Sequence, residues 1–486
     1  MISVVIKGPA FEEAYQQIML AIPYADLVEL RLDYFNFLDF PSLERLRAHF
    51  SIPMIFTLRS QRQGGSYTQS EDNRLKDIRC LLKLKPEFLD LEYDIETSFI
   101  EEIALKYPGI KLILSYHNFE ETPKDLEGIY QKMLNPYAFF YKMAVTANCS
   151  LDALRFLAWA KHSHDRLIAV SMGEHGQISR ILGPVIGNPI TYAALNEAQK
   201  SAPGQLTAKT LIEKYRYYSL SPKTTLYGLI GDPVDQSISD ETHNYLIKTL
   251  GIESVYIKIQ VSREELPDFL TYAKNFSFKG LSVTMPLKEA ILPFLDTIDS
   301  QALAIGAVNT LVFDRGKISG FNTDGIGALN AIERNFLVKN KRMIIIGAGG
   351  AAKAIAYEAH KKGALVTIVN RDKTKAQQIA ERLSLKGVGL DSLSTCFENC
   401  DILINSTPIS FELPMTLSPS TLVMDIKSKP KETVFLLQAI RRGCCVVFGY
   451  EMFVEQAACQ FNLWLNPIDL REIKEILEAS ARSCLS

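Results

Sequence analysis

Along roughly the first 215 residues the chain alternates short apolar runs with longer stretches whose apolar positions recur at helical spacing. The runs are ISVVIKG, DLVELRLD, PMIFTLRS, FLDLEY, IKLILSYH, FFYKMAV, RLIAVSMG and PITYAAL. Their brevity and β-branched and aromatic content predict strands, and the stretches between them predict helices. Strict alternation of the two predicts parallel βα units, and eight at this interval predict an α/β fold of the (β/α)8, or TIM, barrel type. Such a barrel carries its chemistry at the carboxyl ends of its strands.

Around YRYYSLSPKTTLYG the pattern stops, and a polar Ser/Pro/Lys/Thr segment predicts a linker. Beyond it LYGLIGDP, SVYIKIQV and FKGLSVTMP read as strands separated by helices near 240–250 and 263–275. A further α/β unit starts at KRMIIIGAGGAAKAIAYEAHKKGALVTIVNR. The expected boundaries are 1–217 for the barrel, 218–225 for the linker, 226–328 and 329–453 for the two α/β units, and 454–486 for C-terminal helices.

One stretch of the sixth run needs a reason. AFFYKMAV sets Lys142 among Phe139, Phe140, Tyr141, Met143 and Val145, where an unpaired ammonium carries a desolvation penalty. Long side chains can snorkel their charge into water. The neighbouring runs favour chemistry instead, because functional side chains recur at their ends: Glu29 and Arg31 at the second, Arg59 at the third, Glu92 at the fourth, His117 at the fifth and Met172 at the seventh, with Lys142 expected at the end of the sixth. A lysine in an apolar strand can release its proton near neutral pH, and its free amine can attack a ketone to form an imine. His117 is the candidate base for the carbon acid so activated. Arg180, in GQISRILGP, suits a carboxylate clamp. Ser201 and Gln205 lie in SAPGQLT, which by itself reads as a plain turn.

Composition narrows the function. The 53 basic and 55 acidic side chains leave a formal net charge of −2, which offers no global field to nucleic acid or an anionic membrane. A small-molecule enzyme is expected. Eight cysteines show neither a CxxC pair nor zinc-ligand spacing, so reduced thiols and no metal site are expected. The chain opens in an apolar strand without a basic leader, and no apolar run approaches the ~18 residues of a membrane span. The expectation is a soluble, cytoplasmic protein of open oligomeric state.

In the last third, IIIGAGGAAKA follows a strand and opens a helix, with Gly347, Gly349 and Ala352 in a G-x-G-x-x-A arrangement. Such a turn lets a pyrophosphate approach the backbone at the helix N-terminus, so Gly347, Ala348, Gly349, Gly350 and Ala351 are expected to hold a dinucleotide. An NAD site carries an acid about 20 residues further on. Here Asn370 and Arg371 occupy that corner with Lys373 and Lys375 close by, which favours NADP; Asp372 argues the other way. Upstream, Ser237 and Ser239 in QSISDETHN can cap a helix or bind a carboxylate. Lys288 and Asp324 can be surface groups, or a pair passing a proton to the alkoxide made by hydride transfer.

In this order, ELRLD, TLRS followed by GG, SYHNFEETP, KMAV, SMGEHGQISRILG and SAPGQLT resemble type I 3-dehydroquinate dehydratase across the first half. The resemblance implies a Schiff base on Lys142, general base and then general acid catalysis by His117, and substrate binding by Glu29, Arg31, Arg59, Arg180, Ser201 and Gln205. Gln63 stands where that family has a glutamate supporting the histidine. An amide can hydrogen-bond an imidazole but cannot stabilise imidazolium by charge, so slower dehydration is expected.

The set QSISDETHN, GLSVTMPLKEA, GAVNTL, GFNTDGIGAL and GYEMFVEQAACQF resembles shikimate dehydrogenase over roughly 224–486. That implies carboxylate binding by Ser237 and Ser239, and substrate contacts by Thr284, Asn309, Gln456 and Gln460, the last two from a C-terminal helix returning to the substrate domain. It also implies proton transfer by Lys288 with Asp324, and a nicotinamide-side loop, INSTPIS, carrying Asn405 and Thr407. Ser282 replaces an asparagine common in that family, and Ser428 replaces a substrate-contacting tyrosine. Together the halves resemble the bifunctional dehydroquinate dehydratase and shikimate dehydrogenase, which makes 3-dehydroshikimate from 3-dehydroquinate and reduces it with NADPH. Two alternatives differ in kind: the second half is a quinate or other polyol dehydrogenase, or one half is a non-catalytic module, for which Gln63 and Ser428 are the motivating changes.

Overall fold

The structure, a computed structural model, describes residues 1–163, 166–200, 203–397, 400–409, 412–413, 417–466 and 468–485. It forms two compact units, Met1–Thr224 and Thr225–Ser486.

In the first unit every predicted run is a strand: β1 (Ile2–Ile6), β2 (Leu27–Arg31), β3 (Met54–Thr57), β4 (Phe88–Glu92), β5 (Lys111–Asn118), β6 (Ala138–Thr146), β7 (Leu167–Met172) and β8 (Thr191–Ala193). All pair in parallel, in the order β7-β6-β5-β4-β3-β2-β1-β8. Because side chains alternate between the two faces of a strand, one residue in two points into the barrel. Val5, Leu27, Ile55, Phe88, Ile113, Ala144, Ile168 and Tyr192 belong to one buried cluster drawn from all eight strands, with Phe140 of β6 packed against it. Two residues further along, the same inward face carries Glu29, Thr57, Asp90, Ser115 and Lys142, all buried. The barrel is thus apolar at its floor and charged one layer higher.

This alternation corrects the expected position of Lys142. It is the fifth of nine residues in β6 and sits mid-strand, not at the strand's end. Its sequence neighbours do not surround it. Tyr141 packs outward, its ring 5.3 Å from that of Tyr130 and its hydroxyl donating to the carbonyl of Asn135 at 2.9 Å.

Among the described residues no ladder joins β7 to β8. A side chain bridges them: Asn188 accepts from the Ala169 N–H through Oδ1 at 3.1 Å and donates through Nδ2 to the Ala169 carbonyl at 3.0 Å. The amide reproduces the two-way pairing of a missing strand residue.

The second unit holds two sheets. The first is mixed, β9 (Thr225–Gly231), β10 (Ser254–Gln260), β11 (Phe278–Val283), β12 (Thr297–Ile298), β13 (Thr310–Asp314) and β14 (Lys317–Phe321), in the order β10-β9-β11-β13-β14-β12. The second is all parallel, β15 (Arg342–Ile346), β16 (Leu365–Asn370), β17 (Lys386–Gly389), β18 (Ile402–Asn405), β19 (Leu422–Asp425) and β20 (Cys445–Val447), in the order β17-β16-β15-β18-β19-β20. That is the doubly wound dinucleotide-binding order, whose crevice opens where the winding reverses, between β15 and β18. The helix Gly449–Leu465 belongs to both cores: Met452 packs in the parallel-sheet cluster, while Val454, Ala457 and Phe461 pack in that of the mixed sheet.

Asn188→Ala leaves a buried N–H and a buried C=O at Ala169 without partners, and each such loss costs about 1–3 kcal/mol. The variant is expected to melt earlier in the barrel unit and to exchange the Ala169 amide hydrogen faster; unchanged protection of that amide would refute the bridging role.

Candidate active sites

Inside the barrel, charge is organised around one carboxylate. Asp90 lies in β4, its Oδ2 2.8 Å from Lys142 Nζ and its Oδ1 2.6 Å from Arg59 Nη2. Ser115 donates to the same Oδ1 at 2.7 Å and accepts from Arg59 Nη1 at 2.8 Å. Glu29 stands 3.7 Å from Lys142 Nζ and accepts from Thr57 Oγ1 at 2.8 Å. Burial works against the Asp90 charge, yet the neighbouring Arg59 and Lys142 hold its pKa below the ordinary carboxylate range. Strand-end reasoning misses Asp90 because it falls three residues short of the end of FLDLEY; counting inward positions by twos finds it.

Other expected groups sort by what already holds them. Arg31 is locked in a two-pronged bond to Asp33 at 2.9 and 2.8 Å. Glu92 accepts from Arg74 at 2.8 Å and from the Ser60 N–H at 3.0 Å, which ties down the loop after β3. Arg180 is buried, donates to the Ser171 carbonyl at 2.8 Å, has no partner at Nε, and among the described residues pairs with no carboxylate. Burial pushes its pKa down to about 10. An uncompensated buried guanidinium is a receptor for an anion. Gln205 is buried in the loop after β8, and Ser201 lies outside the described residues.

His117, near the end of β5, stacks on Phe119 with centroids 5.9 Å apart and has a buried Nδ1 without a partner. Burial, then the charges of Arg59 and Lys142, push its pKa well below the usual imidazole value. The ring is therefore neutral at physiological pH and able to take a proton.

In the second unit a cavity of about 220 Å³ is lined by Ser237, Ser239, Ser282, Thr284, Lys288, Asn309, Asp324, Gln456 and Gln460, with Ala351 and Ser428 on its walls. Lys288 is ion-paired with Asp324, whose Oδ1 accepts from Asn309 Nδ2 at 2.8 Å. Asn309 in turn accepts from the Thr323 N–H at 2.9 Å and lies 3.3 Å from Gln456 Oε1. Gln460 accepts from Ser282 at 2.9 Å and donates to the Asn309 carbonyl at 3.0 Å and to Thr310 Oγ1 at 2.8 Å. Ser237 donates to Ser239 Oγ at 2.9 Å, and the same Ser237 oxygen accepts from the Ser239 N–H at 3.2 Å, the first amide of the helix Ser239–Thr249.

The dinucleotide segment has the required shape. Gly347 has φ +123°, and a Cβ there would meet Ser406 and Thr407. Around Gly349 the space is open, and the helix Gly350–Lys361 begins next. Arg371 and Lys375 are exposed beyond β16. Asp372 caps the helix Lys373–Leu383, accepting from the Lys375 N–H at 3.3 Å. Asn405 and Thr407 bond each other at 2.8 Å and shape the loop after β18.

Residues 2–222 match the family model of type I 3-dehydroquinase, 229–311 that of the shikimate dehydrogenase substrate binding domain, and 330–435 that of shikimate/quinate 5-dehydrogenase. The shikimate biosynthesis protein AroDE of Chlamydia pneumoniae is 39% identical over 465 residues, covering 96% of this chain and 95% of that protein. The chain belongs to the bifunctional 3-dehydroquinate dehydratase/shikimate dehydrogenase family. The chloroplastic bifunctional enzyme of Arabidopsis thaliana is 36% identical over 471 residues, covering 90% and 77% of the two chains. A shikimate dehydrogenase (NADP(+)) of Methanococcus maripaludis is 40% identical over 260 residues, covering 50% of this chain and 93% of its own. The chain therefore joins a lyase and an oxidoreductase.

Within the family frame, Gln63 forms no hydrogen bond to His117; it sits in the turn Gln61–Gln63, while Phe119 takes up the imidazole face. Among the described residues no helix is long and apolar enough to cross a membrane, and no group of His, Cys, Asp and Glu is arranged for a metal ion.

Asp90→Asn is expected to destabilise the barrel unit by about 3 kcal/mol, since it removes the nearest anion from two buried cations and leaves them only Glu29 and Glu92, each 3.7 Å away. Denaturant unfolding checks this. A second expectation concerns His243, fully buried beside the cavity, with Nε2 unpartnered and a pKa lowered by burial to about 3. Because the unfolded chain binds that proton near pH 6.5 and the folded one does not, folding stability falls as pH drops from about 6.5 toward about 3. His243→Gln should flatten that limb in melts of the second unit.

Proposed function

We propose that the barrel dehydrates 3-dehydroquinate to 3-dehydroshikimate through an imine on Lys142, and that the second unit reduces the product to shikimate with NADPH. What carries the first step is the buried Lys142 nitrogen set between Asp90 and Glu29 on an apolar floor. The free amine adds to the ketone carbon, and water leaves as the imine forms. The imine draws electrons from the adjacent carbon, whose proton passes to neutral His117; the same ring then protonates the departing hydroxyl. Arg180, with no carboxylate of its own, suits the substrate carboxylate, while Glu29, Arg31, Arg59, Gln205 and Ser201 complete its binding.

In the second unit Ser237 and Ser239 hold the carboxylate, and Thr284, Asn309, Gln456 and Gln460 hold the ring. Lys288, held by Asp324, gives its proton to the ketone oxygen as negative charge develops there. NADPH, when bound, supplies the hydride. The open space at Gly349 and the helix that follows fit its pyrophosphate, with Gly347, Ala348, Gly350 and Ala351 forming the turn. Asn370, Arg371 and Lys375 face its 2′-phosphate, while an Asp372 oxygen accepts from the Lys375 N–H at the start of the next helix. Asn405 and Thr407 shape the nicotinamide side. We assign the dehydratase to 1–217, a linker to 218–225, the substrate domain to 226–328, the cofactor domain to 329–453 and the returning helices to 454–486, in a cytoplasmic enzyme.

Borohydride reduction in the presence of 3-dehydroquinate, followed by peptide mass mapping, is expected to label the peptide holding Lys142 and to fail in Lys142→Ala. A label elsewhere, or none, would overturn the imine. Arg371→Ala is expected to raise KM for NADPH by at least tenfold with NADH little affected, equivalent to about 1.4 kcal/mol or more. The small Ser428 on the cavity wall makes quinate the competing substrate, so shikimate and quinate oxidation are measured side by side; faster turnover of quinate would favour the polyol reading.

A further inference from the structure

Tyr192, in the short strand β8, is used by none of the steps above. Its ring faces the reacting nitrogen, with Lys142 Nζ 4.3 Å from the ring centroid. The residue is 6% exposed, and its hydroxyl is buried with no hydrogen-bond partner among the described residues. Ser3 is its register partner on β1, yet the two hydroxyls do not bond, and Ser3 Oγ is unpartnered as well. A buried phenol without a partner destabilises a fold, so its retention inside a reaction chamber calls for a ligand to satisfy it.

We propose that Tyr192 serves the dehydration in two ways: its ring face positions and favours the cationic forms of Lys142, and its hydroxyl donates a hydrogen bond to an oxygen of the bound polyhydroxylated ketone. This rests on the imine reading. A π face attracts a cation most strongly where water is excluded, and both the resting ammonium and the protonated imine are cations on the same nitrogen. The ring also limits where Nζ can swing, since Asp90 holds it at 2.8 Å from one side and Tyr192 closes another. Burial, with Glu29 and Asp90 near, raises the phenol's pKa far above neutrality, so it enters the complex as a donor.

Tyr192→Phe and Tyr192→Leu in the full-length enzyme separate the two parts. Tyr192→Phe keeps the ring, so borohydride capture with 3-dehydroquinate is expected to persist; KM for dehydroquinate rises about tenfold, while the ligand-free barrel melts at the same or a higher temperature, having lost an unsatisfied hydroxyl. Tyr192→Leu removes the ring: capture is expected to slow by about tenfold, and the rising limb of the kcat/KM–pH profile to move to lower pH, because the ammonium has lost the face that favoured it. A hydroxyl satisfied only by a structural water predicts the opposite split for Tyr192→Phe, a lower melting temperature with KM unchanged, and that result would overturn the substrate contact. An unmoved pH limb and unslowed capture in Tyr192→Leu would overturn the cation role. Absence of capture in the unmutated enzyme would instead reject the imine itself, so the two failures are distinguishable.

Discussion

The dehydratase unit depends on how a lysine's charge is kept inside a barrel. Asp90 does it with two oxygens, one on Lys142 and the other shared by Arg59 and Ser115. A carboxylate so divided is satisfied on both sides, and it couples the Lys142 ammonium to the Arg59 guanidinium. Without it, two cations would share a space of low dielectric, where repulsion is strong. Burial first, and then the two cations that flank the carboxylate, disfavour a charge on His117, leaving the imidazole as an acceptor.

Much of this was legible in the chain. The eight apolar runs are the eight strands, and the inward residues Glu29, His117 and Lys142 follow from a period of two once the strands are placed. Where strand-end reasoning erred, at Lys142 and Asp90, it weighed sequence neighbours such as Tyr141 and Met143 that alternation sends to the opposite face. The apolar setting of the octet is divided: Tyr141 packs on the outer wall, while Phe140 and Ala144 belong with the inner cluster on either side of Lys142. Asn188 could not have been found at all, because nothing local marks an asparagine that will stand in for a strand's backbone pairing; that role exists only when β7 and β8 meet.

The dehydrogenase unit shows the same division between pattern and context. The glycine-rich turn was readable because its backbone demands small residues, and Gly347 indeed occupies a positive φ. Asp372 was not readable: by composition it looked like a ribose-binding acid, whereas its carboxylate caps the helix Lys373–Leu383. Ser237 and Ser239 could cap a helix or line a site, and Ser237 does both: its oxygen takes the first helix amide while both hydroxyls line the cavity. A short polar side chain has several possible partners in the sequence, and the geometry of the neighbouring helix start decides which it meets.

The helix Gly449–Leu465 is held in both cores, by Met452 in that of the parallel sheet and by Tyr450, Val454, Ala457 and Phe461 in that of the mixed sheet. Gln456 and Gln460 lie beyond Met452, and Trp464 ties the far end to the Leu311 carbonyl at 2.9 Å. Such a rod works as an axle between two jaws. Any change in the angle between the sheets would load this single rod, and Gln456 and Gln460, lying among Val454, Ala457 and Phe461, would travel with the mixed sheet.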